Sequence, residues 1–171
     1  ELGNISGLNG SLLVDIDDDW LYSGGVNNGI GWNTEPPCGL YSTETLTRSD
    51  NASQGTLYAQ NLFDQILLQQ YNFNGNIQDV VFYGDYIIAA LGNNGIQVVN
   101  RDIPEETTTL AVDSSLQTQG GFVNKLKLFG NLLFASSRNG GIIIVDVSSP
   151  LEPVVISAGN TENIEGLDIF R

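Results

Sequence analysis

Acid–base or nucleophilic chemistry in this sequence would have to rest on carboxylates alone. The 171 residues contain no His and a single Cys, Cys38. Ser-His-Asp and Cys-His arrangements are excluded within the chain, because the nucleophile needs an adjacent base. Zinc sites built on His and Cys are excluded for want of ligands. The densest acidic cluster is Asp15, Asp17, Asp18 and Asp19. Asp15, Asp17 and Asp19 alternate as hard oxygen ligands do in a calcium loop, but Trp20 stands where that loop requires Gly and Val26 where it requires a bidentate Glu. A solvated acidic turn is the expectation, with a weak Ca²⁺ site on Asp15, Asp17 and Asp19 as the alternative. A glycosidase needs only two carboxylates at a set separation. Asp79, Asp85, Glu105 and Glu106 enlarge that pool without singling out a pair, and Asp79 and Asp85 read better as strand and turn residues. No catalytic residue is assigned, and the chain is not expected to be an enzyme.

Charge narrows the partners. Six basic against 20 acidic residues give a formal charge of −14. Phosphate neutralisation needs clustered Lys and Arg, so nucleic acid is not an expected partner, and attraction to an anionic membrane surface fails for the same reason. The acidity reads as solubility. No apolar run reaches the roughly 18 residues of a membrane span, so no membrane insertion is expected. No Gly-rich stretch opens a helix, which leaves phosphate cradling unsupported. Cys38 cannot form an internal disulfide and is expected to be inert or buried. The sequence lacks Met altogether, so the chain is expected to be processed or excised from a longer one. Asn4-Ile5-Ser6, Asn9-Gly10-Ser11 and Asn51-Ala52-Ser53 match the glycosylation triplet, which matters only on a secretory route.

The elements that would position any such residues come from repetition. Residues 76–90 align with residues 122–136, and both Gly84 to Gly130 and Gly95 to Gly141 are offsets of 46. A third copy starts at Asn163, where Ile164, Leu167, Ile169 and Phe170 match Val123, Leu126, Leu128 and Phe129 at an offset of 41. Periods in the forties suit propeller blades or helical repeats. Short β-branched runs punctuated by Gly84-Asp85, Gly92-Asn93-Asn94-Gly95, Gly130-Asn131 and Asn139-Gly140-Gly141 decide for hairpins. Four strands per unit are predicted, at 77–83, 86–91, 96–100 and 108–112, then at 123–129, 132–137, 142–147 and 153–157. An earlier unit spans 11–74, with strands at 11–16, 20–23, 56–60 and 65–70 and an insertion at about 30–54. The remaining units are 75–120 and 121–162, with 163–171 as the first strand of a further blade. The expected fold is all-β: a β-propeller of about three four-stranded antiparallel blades plus one extra strand, an incomplete ring. Further blades in cis or a partner chain are expected to complete it, because open blade faces expose apolar surface.

The run Ile142-Ile143-Ile144-Val145-Asp146 with its tail Val147-Ser148-Ser149-Pro150 resembles the LVIVD-repeat family of β-propellers, strongest over 121–170. Gln97-Val98-Val99-Asn100 stands in place of the signature in the preceding unit. The resemblance implies a repeat module of secreted or surface-attached proteins, lipid-anchored upstream of this chain in one version, and brings no catalytic residues. Within the insertion, Trp32, Asn33 and Tyr41 combine rigid aromatics with adaptable polar groups suited to contacts. The connection between second and third strands should open on the face where blades join, beside Asn93, Asn94, Arg138 and Asn139. These seven residues are the candidate binding set, for a protein or glycan. The alternatives are a structural subunit completed by neighbouring chains and a fragment of a carboxylate-based enzyme whose site lies in other blades.

Overall fold

The computed structural model describes residues 11–17, 20–26, 55–61, 67–111, 121–138, 140–159, 164 and 166–169. Among the described residues there are twelve strands, β1 Ser11–Asp17, β2 Trp20–Val26, β3 Gly55–Asn61, β4 Leu67–Phe73, β5 Asp79–Tyr83, β6 Tyr86–Ala90, β7 Ile96–Asn100, β8 Thr107–Leu110, β9 Phe122–Phe129, β10 Leu132–Arg138, β11 Gly141–Asp146 and β12 Val154–Ala158. They make three four-stranded antiparallel meanders, β1–β4, β5–β8 and β9–β12, each in chain order. This is an all-β fold of propeller blades that do not close a ring.

The local causes are visible in the turns. Tyr83 pairs with Tyr86 and Phe129 with Leu132 across two-residue loops. Gly130 opens its loop at φ 60, as Gly84 does at φ 55 in the preceding blade. The primed turns that match strand twist need a positive φ there, and Gly adopts it without steric cost. At the same end, the residue that closes each third strand latches the next turn. Asp146 Oδ1 accepts from Asn131 Nδ2 and from the Ser148 amide, both at 2.9 Å. In the preceding blade Asn100 Oδ1 accepts from the Asp102 amide at 3.0 Å, while Asn100 Nδ2 donates to Glu106 at 2.9 Å. The Asp of the signature run is therefore a turn-capping group tied to a hairpin tip.

Strand alternation gives each blade two apolar faces. On β9–β12, Leu126, Leu133, Ala135, Ile143 and Val145 turn toward the second blade and bury against Ile88, Ala90, Ile96, Val98 and Leu110. On the second blade's other face, Ile77, Val80, Ile87, Ala89 and Val99 bury against Leu57, Ala59, Tyr71 and Phe73 of the first. Each fully buried Leu, Ile or Phe at these seams contributes about 1.5–3 kcal/mol. Successive first strands lie side by side, β5 against β9 and β1 against β5. Asp79 of β5 staples its neighbour: one carboxylate oxygen accepts from the Leu126 amide at 2.9 Å and the other lies 3.7 Å from Lys125 Nζ.

Boundaries differ from the sequence-based expectation mainly in the first blade. Its fourth strand runs to Phe73 rather than ending at Gln70, because Tyr71 and Phe73 are buried on the second blade and Gly55 pairs with Phe73. Residues 164 and 166–169 have no ladder partner among the described residues. The Asp168 carboxylate lies 3.8 Å from Lys127 Nζ of β9.

Candidate functional site: the loop-bearing end of the blades

The end opposite the two-residue hairpins gathers the turns between second and third strands and the lead-in chain to each blade. The turn after β6 is closed by backbone bonds: Asn94 N donates to Leu91 O at 3.1 Å, Gly95 N to Gly92 O at 3.1 Å, and Leu91 N to Gly95 O at 2.8 Å. That arrangement leaves Asn93 and Asn94 exposed at the tip. The Asn94 side chain donates to the Asn74 carbonyl, tying the tip to the lead-in chain of its own blade.

Gly92 joins this turn to the next blade. Its amide donates to Val123 O at 3.0 Å and its carbonyl accepts from Val123 N at 3.1 Å. A Cβ at Gly92 would sit 2.7 Å from the Phe122 ring, and its φ of +59 lies in the left-handed region. Only Gly meets both demands. Phe122, 6% exposed, in turn carries the Arg138 guanidinium 4.9 Å from its ring centroid. Such a cation over an aromatic face is held electrostatically. Arg138 is half-buried at the end of β10, with its guanidinium over the Phe122 ring at the blade junction.

The long connection has its base at this same end. Val26 pairs with Gly55, so β2 ends and β3 begins at one point of the sheet. Gly55 packs directly on the Gly75 carbonyl and on Ile77, and Gly75 packs on Leu91 and Asn94. The base of the insertion, the lead-in at Gly75 and the tip at Asn94 thus form one contiguous path. Trp32, Asn33, Tyr41 and Asn139 lie outside the described residues, as does Asp19. Asp15 and Asp17 are both in β1, opposite Tyr22 and Trp20 in the ladder.

The structure thus brings Asn93, Asn94 and Arg138 to one end. Sequence reasoning missed the Gly92–Val123 bridge and the Phe122 ring that organises it. Phe122 had a signal, since it aligns with Asn76 at the same repeat position. A polar seam was also missed: Gln97, 3% exposed, accepts from the Asn74 amide at 2.9 Å and donates to Thr107 Oγ1 at 3.0 Å. Among the described residues no group of three His, Cys, Asp or Glu side chains converges as metal ligands. Asp146 is held below the ordinary carboxylate range by the Ser148 amide first, then by the Ser148 side chain and by Asn131. It belongs to the hairpin end, away from the loops.

Blades of this kind define a repeat module of the β-propeller class. The LVIVD repeat family model matches the chain at residues 74–105 and 120–161, the stretches that hold the second and third blades. No curated protein matches the chain in sequence. Among solved structures, the crystal structure of the computationally designed Ika8 protein is similar, with a TM-score of 0.55 and 10% identity over 88% of this chain. The chain spans 36% of that protein's length, and a likeness at this identity concerns the fold alone.

Proposed function

We propose that this chain is a non-catalytic β-propeller module that binds a protein or glycan through its loop-bearing end, outside the cell or on its surface. The observation that carries this reading is the register of β2 on β3, which roots the long insertion beside the exposed Asn93-Asn94 tip. Carboxylates in the blades support it from the other side. Asp79 is engaged in stapling neighbouring strands, Asp146 in capping a turn, and Glu106 in holding Asn100. Aromatic anchors flanked by adaptable polar groups are what contact surfaces enrich.

The test is binding to a glycan array and to surface-protein extracts, comparing the chain with Trp32→Ala/Tyr41→Ala and with Asn93→Ala/Asn94→Ala. Each pair should weaken binding at least about tenfold, as loss of interface anchors does, while the thermal melt moves little. Binding that survives both pairs would remove the reading.

A further inference from the structure

Five Asn-Gly pairs occur in the sequence, at Asn9, Asn28, Asn74, Asn94 and Asn139, and two of them lie wholly among the described residues, Asn74-Gly75 and Asn94-Gly95. Such a pair carries its own chemistry. The main-chain nitrogen of the Gly attacks the side-chain carbonyl carbon of the Asn, and Gly obstructs the approach least because it has no Cβ. Attack requires two freedoms: the Gly amide must be clear of hydrogen bonds, and the Asn side chain must be able to swing onto it.

The two pairs differ in both respects. At the tip, Gly95 N donates to Gly92 O at 3.1 Å, and the Asn94 side chain donates to the Asn74 carbonyl. Both reacting groups are engaged, and bringing them together would open the turn. At Asn74 the ties run through the main chain instead. Its amide donates to Gln97 Oε1 at 2.9 Å, and its carbonyl accepts from Asn94. The residue is exposed, and among the described residues no hydrogen bond holds its side chain or the Gly75 amide. The place is peculiar to this lead-in, since the 46-residue offset puts Gly120-Gly121 before the third blade.

We propose that Asn74 is a site of spontaneous modification, converted through a cyclic imide to aspartate and isoaspartate, while Asn94 is protected. The Gly75 nitrogen forms a bond to Asn74 Cγ and the Cγ–Nδ2 bond breaks. Nδ2 leaves as ammonia, taking the proton of the Gly75 amide. Water then adds at one of the two imide carbonyls. Opening at Cγ gives aspartate. Opening at the Asn74 main-chain carbonyl gives isoaspartate, which carries one additional carbon in the backbone and a free carboxylate. Nothing is oxidised or reduced, and water is the only co-reactant.

Either product places a negative charge beside the Asn93-Asn94 tip. Isoaspartate also removes the peptide carbonyl to which Asn94 donates and lengthens the chain just after the amide that Gln97 holds. Conversion therefore unties the tip from the lead-in chain as the protein ages. The inference is independent of what the loop-bearing end binds.

The test incubates the folded chain in mildly alkaline heavy-oxygen water, with a urea-unfolded sample in parallel. Peptide mass spectrometry then reads label incorporation at each Asn-Gly pair and separates the aspartyl from the isoaspartyl peptide. Unfolded, Asn74 and Asn94 should convert at similar rates, because each is then an unrestrained Asn-Gly pair. Folded, Asn74 should convert faster than Asn94 by about tenfold or more, since Asn94 must wait for its turn to open. The label at Asn74 should appear in both products, as a shared imide requires. Equal folded rates at the two sites, faster conversion at Asn94, or an Asn74 that converts only when unfolded would each overturn the proposal. Asn74→Gln, whose extra methylene slows ring closure, should lose the label from that peptide; label that persists there would also overturn it.

Discussion

Gly92→Ala should damage the junction of the second and third blades well beyond the cost of its backbone conformation, and a matched control separates the two effects. Gly130 has the same φ, 60 against 59, but a Cβ there meets nothing within 4 Å. Gly130→Ala therefore isolates the left-handed penalty, about 1–2 kcal/mol for an L-residue, reduced by about 0.4–1 kcal/mol because Ala restricts the unfolded chain. The net is about 1 kcal/mol. At Gly92 the new methyl lies 2.7 and 2.9 Å from two ring carbons of Phe122, where carbon atoms prefer about 3.5–4.0 Å. Phe122 is buried under Arg138 and has little room to retreat. Either the ring is forced aside, an overpacking cost of about 1–3 kcal/mol, or the two Gly92–Val123 backbone bonds open, at about 0.5–1.5 kcal/mol each. Gly92→Ala should thus cost about 2–4 kcal/mol in urea unfolding followed by circular dichroism. For a chain of this size that is a drop in melting temperature of about 4–16 °C, against about 2–4 °C for Gly130→Ala. Phe122→Leu in the Gly92→Ala background should recover about 1 kcal/mol relative to additivity, because the removed ring carbons are the ones struck. Equal costs at Gly92 and Gly130, or an additive cycle with Phe122→Leu, would refute the account of the junction.

Two further outcomes follow from the caps and staples. Asp146→Asn should be tolerated at neutral pH, since Asn100 serves the equivalent place, whereas Asp146→Ala should lower the urea midpoint. Because folding depresses the Asp146 carboxyl below its ordinary value of 3.8, its contribution is full above that pH and is lost as pH falls through the folded value. The wild-type midpoint should accordingly fall more between neutral pH and about pH 3 than that of Asp146→Asn; parallel acid limbs would discount the cap. Asp79→Ala should cost about 1–3 kcal/mol by orphaning the Leu126 amide. Lys125→Ala should cost at most about 1 kcal/mol, since its ammonium is half-exposed; a larger loss at Lys125 than at Asp79 would reverse the assignment.

The blades were legible because apolar alternation and turn chemistry are local and were repeated at fixed spacing. Gly84 and Gly130 announce hairpins by type alone, and the strands of the second and third blades fall within two residues of expectation. In the first blade the ends slipped, since the stop after Phe73 is set by burial of Tyr71 and Phe73 on a different sheet. Cross-blade detail was illegible for the same reason. The Gly92–Val123 bridge depends on how two sheets are set against one another, which no offset reports. Asp79 and Lys125 occupy the same repeat position with opposite charge, and that inversion was a readable hint of a staple. At the candidate site, sequence reasoning placed Asn93, Asn94 and Arg138 at one end from topology. It could not see that Arg138 rests on Phe122, because that stack joins the first and second strands across a bulge in their pairing.

Gln97 carries a consequence for how such chains diversify. It occupies the position that Ile143 holds in the next blade, yet it buries an amide whose oxygen depends on the Asn74 amide of the lead-in chain. Left unmatched, a buried amide costs about 1–3 kcal/mol. The second blade is therefore keyed to the chain that leads into it, whereas the third carries Ile143 at that place and takes its polar ties to its neighbour from Asp79 and Gly92 instead. Moving the second blade behind a different lead-in would orphan a buried amide, a penalty that the third blade, with hydrocarbon at the same position, does not carry.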